Sequence, residues 1–301
     1  MRIAPYFLLL LFCLEGYSQS IFILGVAQDG GYPHIGCKRT CCEKAWQSPD
    51  SRRFVTSFAL TDSASKKWWL FEATPDIREQ LYSFNRATGG HYKFLPEGIL
   101  ITHAHIGHYT GLMQLGREAM GANGVKVFVL PKLRSFLENN GPWSQLVILN
   151  NISLHTLDTS EKLELAKDVF VETYTVPHRD EYSETAGFRI TTANKKYLFI
   201  PDIDKWQKWN RSIIDEVEKV DIALLDATFY DAEELPGRRM EEVPHPFVIE
   251  TMKLFENEPE TAKQKIHFIH LNHTNRLLWN DSIQKQVTNT GFNFAKQGEK
   301  M

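Results

Sequence analysis

Long apolar runs, basic blocks and spare cysteines are all scarce in this sequence. The longest apolar run, Tyr6 to Leu14, is well short of the roughly 20 residues a helix needs to cross a bilayer. Lys and Arg number 34 against 37 Asp and Glu, for a net charge of −3, and no basic block occurs. Nothing in that balance favours nucleic acid as a partner. Repeats, low-complexity tracts and Pro/Ser linkers are missing too, which leaves a single domain over residues 19–301.

The scarce cysteines fall in two places. Cys13 lies inside the N-terminal apolar run and follows Phe12 rather than a small residue, so it does not have the setting of a lipid-attachment site. Met1-Arg2, the apolar run, and the small residues Gly16 and Ser18 read as a secretory signal over residues 1–18, cleaved before Gln19. An uncleaved membrane anchor is the alternative. The expectation is export to the periplasm or medium, with no stable membrane insertion after cleavage. Cys37, Cys41 and Cys42 then remain, an odd number that does not make a disulfide framework.

What is present is an ordinary apolar fraction arranged in short runs between polar turns. Strands are expected over residues 20–27, 54–61, 67–72, 98–102, 125–130, 169–176, 188–192, 196–200, 222–225 and 266–269. Thr74-Pro75-Asp76 suits a helix start, with Thr74 as cap, Pro75 at the first helical position and the body running from Ile77 to Phe84. Leu112, Leu115 and Ala119 suggest a helix after the histidines, and residues 132–138 another. The mixture is α/β or α+β with a large share of sheet.

Polar residues cluster just after the apolar strands. His103, His105 and His108 follow Gly98-Ile99-Leu100-Ile101-Thr102; His178, Asp202, Asp226, His270 and His273 each follow another run. In an extended segment residues i and i+2 point the same way, so His103 and His105 can grip one ion. Imidazole suits zinc, and a catalytic zinc needs about three protein ligands with one place left open. His178 supplies a third nitrogen, Asp202 a carboxylate able to bridge two ions, and His270 a partner for His108 in a second site. His91, His155 and His267 are expected to be ordinary surface or core residues.

The stretch Thr102-His103-Ala104-His105-Ile106-Gly107-His108-Tyr109-Thr110-Gly111-Leu112 resembles the histidine motif of the metallo-β-lactamase superfamily. With residues 23–42, 71–81, 224–231 and 270–275 it is similar, over about Ile21 to Leu278, to the branch that contains the pyrroloquinoline quinone biosynthesis B proteins. The resemblance implies an αββα four-layer sandwich with its metal site at one edge of the two sheets. It implies one ion at His103, His105 and His178, a bridging Asp202, and a second ion at His108 and His270. Gly107 stands where the superfamily has an aspartate that ligates the second ion. The expectation is therefore a mononuclear site or a weak second metal, and a Gly107→Asp change that strengthens it. Similarity to a phosphodiesterase branch implies a structural zinc at Cys37, Cys41, Cys42 and His273, with His34 as a substitute; one disulfide plus a free thiol is the alternative. The same branch suggests His245 as a proton donor beside the substrate. Asp226 either orients a ligand histidine or caps a loop.

The expected activity is that of an exported zinc hydrolase, with activated water attacking an ester, phosphodiester or cyclic phosphate of a small substrate. The alternatives are an iron-dependent oxidative enzyme like the quinone-biosynthesis proteins and a metal-stabilised binding protein without turnover.

Overall fold

The computed structural model describes residues 19–301; the signal-like segment 1–18 lies outside the described residues. The apolar runs form two sheets. The first contains β1 (Gln19–Gly25), β2 (Ser57–Asp62), β3 (Lys67–Phe71), β4 (Gly98–Leu100), β5 (Val125–Val129) and β6 (Ile152–Thr156), side by side in chain order. The second is built from β7 (Lys162–Ala166), β8 (Val169–Val176), β9 (Thr185–Thr191), β10 (Lys196–Ile200), β11 (Ile222–Asp226), β12 (Ile266–Ile269) and β13 (Asn293–Phe294), again in chain order. β10, β11 and β12 pair in parallel and are covered on both faces, which is why they read as unbroken apolar runs.

Aromatic side chains hold the sheets face to face. Phe58 stacks on Phe71 at 4.3 Å between ring centres and meets Phe199 of the other sheet edge-on at 4.9 Å, while Phe71 meets Phe188 at 5.6 Å. All four rings are fully buried, each worth about 1.5–3 kcal/mol in area removed from water. Outside the first sheet, the helix Ile77–Ala87 buries Ile77, Leu81 and Phe84 along one stripe, with Phe84 against Trp68 at 4.4 Å. The helices Ile213–Glu218, Val248–Leu254 and Asp281–Asn289 bury Ile213, Val217, Val248 and Val287 in the core of the second sheet. Two sheets between helical layers make the αββα sandwich.

Pairing direction then places the strand ends. β1 and β3 both run antiparallel to β2, and β4 is parallel to β3. β8 and β10 both run antiparallel to β9, and β11 and β12 follow β10 in parallel. The carboxyl ends of β1, β3 and β4 thus share one edge of their sheet, as do those of β8, β10, β11 and β12. Ala27 joins the two edges, bridging to Val55 and to Leu271.

Some local expectations need correction. The helix after the histidines is a single turn, Ile106–Tyr109, continued by a tighter 3₁₀ stretch, Thr110–Leu115, and Ala119 lies beyond it. Thr74 accepts the Asp76 N–H at 3.1 Å, but the helix proper starts at Ile77 and the Asp76 carboxylate instead accepts from Val55 N at 2.8 Å. β6, β7 and β13 went unseen: β6 and β7 mix polar residues into short, half-exposed runs, and β13 has two residues. No helix among the described residues is long and apolar enough to cross a membrane.

Midway along the paired strands, Glu172 of β8 faces Arg189 of β9. Burial opposes its ionisation, and hydrogen bonds from Arg189, Lys162 and Tyr174 overcome that, holding its pKa at about 2 against an ordinary 4.5. A depressed carboxylate pKa stabilises the fold above the ordinary value and loses that contribution as pH falls through the depressed one. Glu172→Gln is therefore expected to lower the melting temperature at pH 7, with the gap to the parent shrinking between about pH 4.5 and pH 2. A gap independent of pH would mean that the charge contributes nothing.

Candidate metal centre

The segment after β4 leaves the sheet and bends at Ala104 and His105, where His105 itself keeps extended backbone, before turning into the Ile106–Tyr109 helix. Thr102 Oγ1 lies 2.9 Å from His103 Nδ1, and Thr102 N donates to Glu72 at 3.2 Å, which ties the start of the motif to the end of β3. His103 Nε2 is left facing His105 Nδ1 at 2.8 Å, and His178 Nε2 approaches the same His105 nitrogen at 3.2 Å. Asp202, just beyond β10, puts Oδ2 3.3 Å from His103 Nε2 and Oδ1 3.3 Å from His178 Nε2. On the outer side, His105 Nε2 reaches Glu181 at 3.2 Å. Nitrogens held about 2.0–2.1 Å from a tetrahedral zinc lie roughly 3.3 Å from one another, so His103, His105, His178 and Asp202 have the mutual spacing of a ligand set. Burial and the neighbouring His108 push the pKa of His103 well below 6.5, which favours the neutral, ligating imidazole.

A second group sits beside the first. His108 is fully buried, with Nδ1 3.4 Å from Glu72. His270, at the end of β12, has Nδ1 3.0 Å from Thr228 Oγ1. Each ring therefore presents Nε2 to the interior, where Asp29 Oδ1 lies 3.2 Å from His108 Nε2 and 3.6 Å from His270 Nε2. Asp202 Oδ2 is 3.7 and 4.0 Å from the same two nitrogens, so its carboxylate faces both groups. Asp29 Oδ1, His108 Nε2 and His270 Nε2 are buried without a hydrogen-bond partner. Three orphaned polar atoms aimed at a common space fit a cation.

Gly107 meets this group in an unexpected way. A Cβ at residue 107 would lie 2.2 Å from Asp29 Oδ1 and 2.7 Å from Asp29 Cα. The space for a side chain is already filled by another carboxylate, and an added one would collide with backbone. The expectation that Gly107→Asp strengthens a second ion is overturned on steric grounds.

His245 lies between two carboxylates, its Nδ1 2.9 Å from both Asp202 Oδ1 and Asp226 Oδ2. Burial disfavours the charged ring, but Asp226 and Asp202 outweigh it and raise its pKa to about 10. Asp226 is itself fixed by Ile203 N at 3.0 Å and by Thr228 N and Oγ1 at 2.9 and 2.8 Å. It touches no member of the His103 group; it orients His245 directly and His270 through Thr228.

The cysteines form a separate cluster in which Cys37 Sγ, Cys42 Sγ and a His273 nitrogen lie within 4.8 Å of one another. All three cysteines are free thiols. Cys41 is not in that trio: neighbours on the helix Thr40–Gln47 project about 100° apart, and its sulfur sits 4.0 Å from that of Cys37. His34 stacks on the His273 ring at 4.3 Å and puts Nδ1 2.9 Å from Ile35 O, so it packs against the cluster. Burial pushes the Cys42 thiol up to about 12 and the His273 ring down to about 4. A thiolate at Cys42 thus needs a cation beside it, while His273 is neutral and able to ligate.

Asp29, Glu72, Glu181, Thr102 and Thr228 were not singled out from sequence as site residues. Asp29 and Glu72 carried the same signal as the others, a carboxylate just past an apolar strand. Of the expected bystanders, His91 is exposed and His155 and His267 are half-buried.

The model of the β-lactamase superfamily domain matches residues 67–272. The chain belongs to the β-lactamase superfamily. Coenzyme PQQ synthesis protein B of Methylococcus capsulatus is 25% identical over 312 residues, spanning 92% of this chain and 98% of its own. Its namesake from Methylorubrum extorquens is 23% identical over 306 residues with the same coverage. Among solved structures, zinc-bound PqqB from Methylobacterium extorquens aligns at a TM-score of 0.74 and 20% identity, over 94% of this chain and 99% of that one. A diphosphatase of the PhnP family aligns at 0.67 and 20% identity, over 94% and 96%. At these identities the likeness to solved structures establishes the superfamily fold.

Two spatially separate ligand sets should load independently. Elemental analysis of protein purified without added metal is expected to show one ion fewer in Cys42→Ser and at least one fewer in His105→Ala, with the two losses additive. Unchanged metal content in Cys42→Ser would remove the cysteine cluster from consideration as a metal site.

Proposed function

We propose that the chain is a metal-dependent hydrolase that uses activated water on an ester or phosphodiester of a small molecule. The observation that carries this is the convergence of His103, His105, His178 and Asp202 at ligand spacing, next to a buried histidine clamped by two carboxylates. A zinc ion at such a site supplies a Lewis acid and makes coordinated water acidic enough to ionise near neutral pH.

The chain's own residues do the rest. Asp202 faces both imidazole groups and is placed to accept the proton of an attacking water. His245 has Nδ1 committed to Asp202 and Asp226, so it would act through Nε2, donating a proton to the leaving oxygen. Asp226 fixes the ring's orientation, as a positioning residue. Export after cleavage before Gln19 is part of the same proposal and rests on the residue 1–18 pattern; amino-terminal sequencing of the exported protein tests it.

A second reading, an iron-dependent oxidative enzyme, is favoured by the end-to-end sequence similarity to coenzyme PQQ synthesis protein B. Metal analysis combined with turnover separates the two. For the hydrolase, zinc co-purifies, aryl phosphodiesters or cyclic phosphates are cleaved, and His105→Ala abolishes cleavage. His245→Gln is expected to slow release of poor leaving groups by about 10²–10⁴-fold and that of p-nitrophenolate far less, because only a basic leaving oxygen needs a proton. Iron that is lost with His105→Ala, together with oxygen consumption and no ester cleavage, would move the oxidative reading to first place. Absence of both activities would leave a metal-stabilised binding protein.

A further inference from the structure

We propose that Asp29 is the carboxylate ligand of a second metal ion, moved out of the histidine motif and onto the loop after β1, and that Gly107 is the gap that admits it. This rests on the metalloenzyme reading above and adds a ligand to it.

Three independent features support the assignment. The first is convergence: Asp29 Oδ1, His108 Nε2 and His270 Nε2 lie within ligand reach of one another, and each is buried with no hydrogen-bond partner.

The second is rigidity. A ligand on a loose loop would be a poor one, but this loop is pinned along its length. Leu271 N donates to Val26 O at 2.8 Å, and Gln28 N donates back to Leu271 O at 2.9 Å, directly beside His270. Thr56 N donates to Ala27 O at 2.8 Å, and Gly31 N closes a turn onto Gln28 O at 2.7 Å. Asp29 sits inside this frame, and its neighbour Gly30 has the His34 ring where a Cβ would be.

The third is exclusion. Residue 107 is buried, and even the first carbon of a side chain there would overlap Asp29, including its Cα. With the loop in this place the carboxylate enters from residue 29 alone, and Glu72 orients His108 on its other side.

The test uses the mature chain with Zn²⁺ as the probe, reading stoichiometry by elemental analysis and affinity by chelator competition. Folding is followed by circular dichroism, and the ion of the cysteine cluster serves as an internal standard. Parent protein is expected to hold two ions outside that cluster. Asp29→Asn and Asp29→Gly should each lose one of them, or weaken it by more than about 100-fold, beyond the 10–100-fold expected from loss of a residue that only orients a ligand. Gly107→Asp alone should gain nothing. Asp29→Gly combined with Gly107→Asp should stay without the second ion, because the Cα of residue 29 still lies 2.7 Å from a Cβ at 107. Two equally tight ions in parent and Asp29→Asn would overturn the assignment, as would a parent that holds a single ion at the His103 side. Recovery of an ion in the double variant would overturn the exclusion at residue 107. A parent with no ion at His103, His105 and His178 would instead sink the metalloenzyme reading itself.

Discussion

Desolvation of imidazoles and carboxylates at one sheet edge is the constraint on which the rest depends. His103, His108, His245, His270 and Asp202 are all buried, and His178 and Asp29 keep little of their side chains in water. A buried polar atom left unpaired costs about 1–3 kcal/mol, and several such atoms face the same small space. An arrangement of this kind persists only where the surroundings over-determine it. Glu72, Thr102, Thr228, Asp226 and Glu181 do so, each holding the outward side of a ring and turning its other nitrogen inward. A shared cation converts that accumulated cost into stabilisation.

The sandwich makes such crowding possible because its strands run the right way. Two rigid sheets, locked by phenylalanines, bring carboxyl ends together from both sides, so the site draws on β1, β3, β4, β8, β10, β11 and β12, and the connection over residues 227–247 adds His245. The cysteine cluster hangs on the long connection between β1 and β2, residues 26–56, and on the segment after β12. Leu271 stands between His270 and His273, and its backbone is tied to Val26 and Gln28, next to Asp29 and just upstream of His34. Both candidate metal groups therefore hang on the same two segments.

Most of the strands and several residues at their ends could be read from the chain, for identifiable reasons, while the four-layer arrangement came from the family resemblance alone. Parallel strands covered on both faces leave unbroken apolar runs, so β10, β11 and β12 were found, along with the residues at their ends. Spacing of two in an extended segment made His103 and His105 evident. What escaped was set by contacts distant in sequence. The space at residue 107 is filled by a side chain 78 positions earlier, and no local pattern records that. Cys41 and Cys42 look equivalent as neighbours until the helix turns them apart. The edge strands β6 and β7 carry too many polar residues to stand out, since half of each strand faces solvent.

Because residues 29 and 107 compete for one volume, they cannot be exchanged one at a time without loss. A lineage that first lost the carboxylate at 29 would pass through a centre with no acid in this place, and one that first gained a side chain at 107 would pass through a steric clash at 2.2 Å. Either intermediate is worse than both ends. Such a pair behaves as a ratchet in descent: once the acid has crossed from the motif to the loop, return requires two coordinated changes. Aspartate at 29 with glycine at 107 should therefore travel together as a lineage marker, and chains with an acid at the motif position should carry this loop further from the motif.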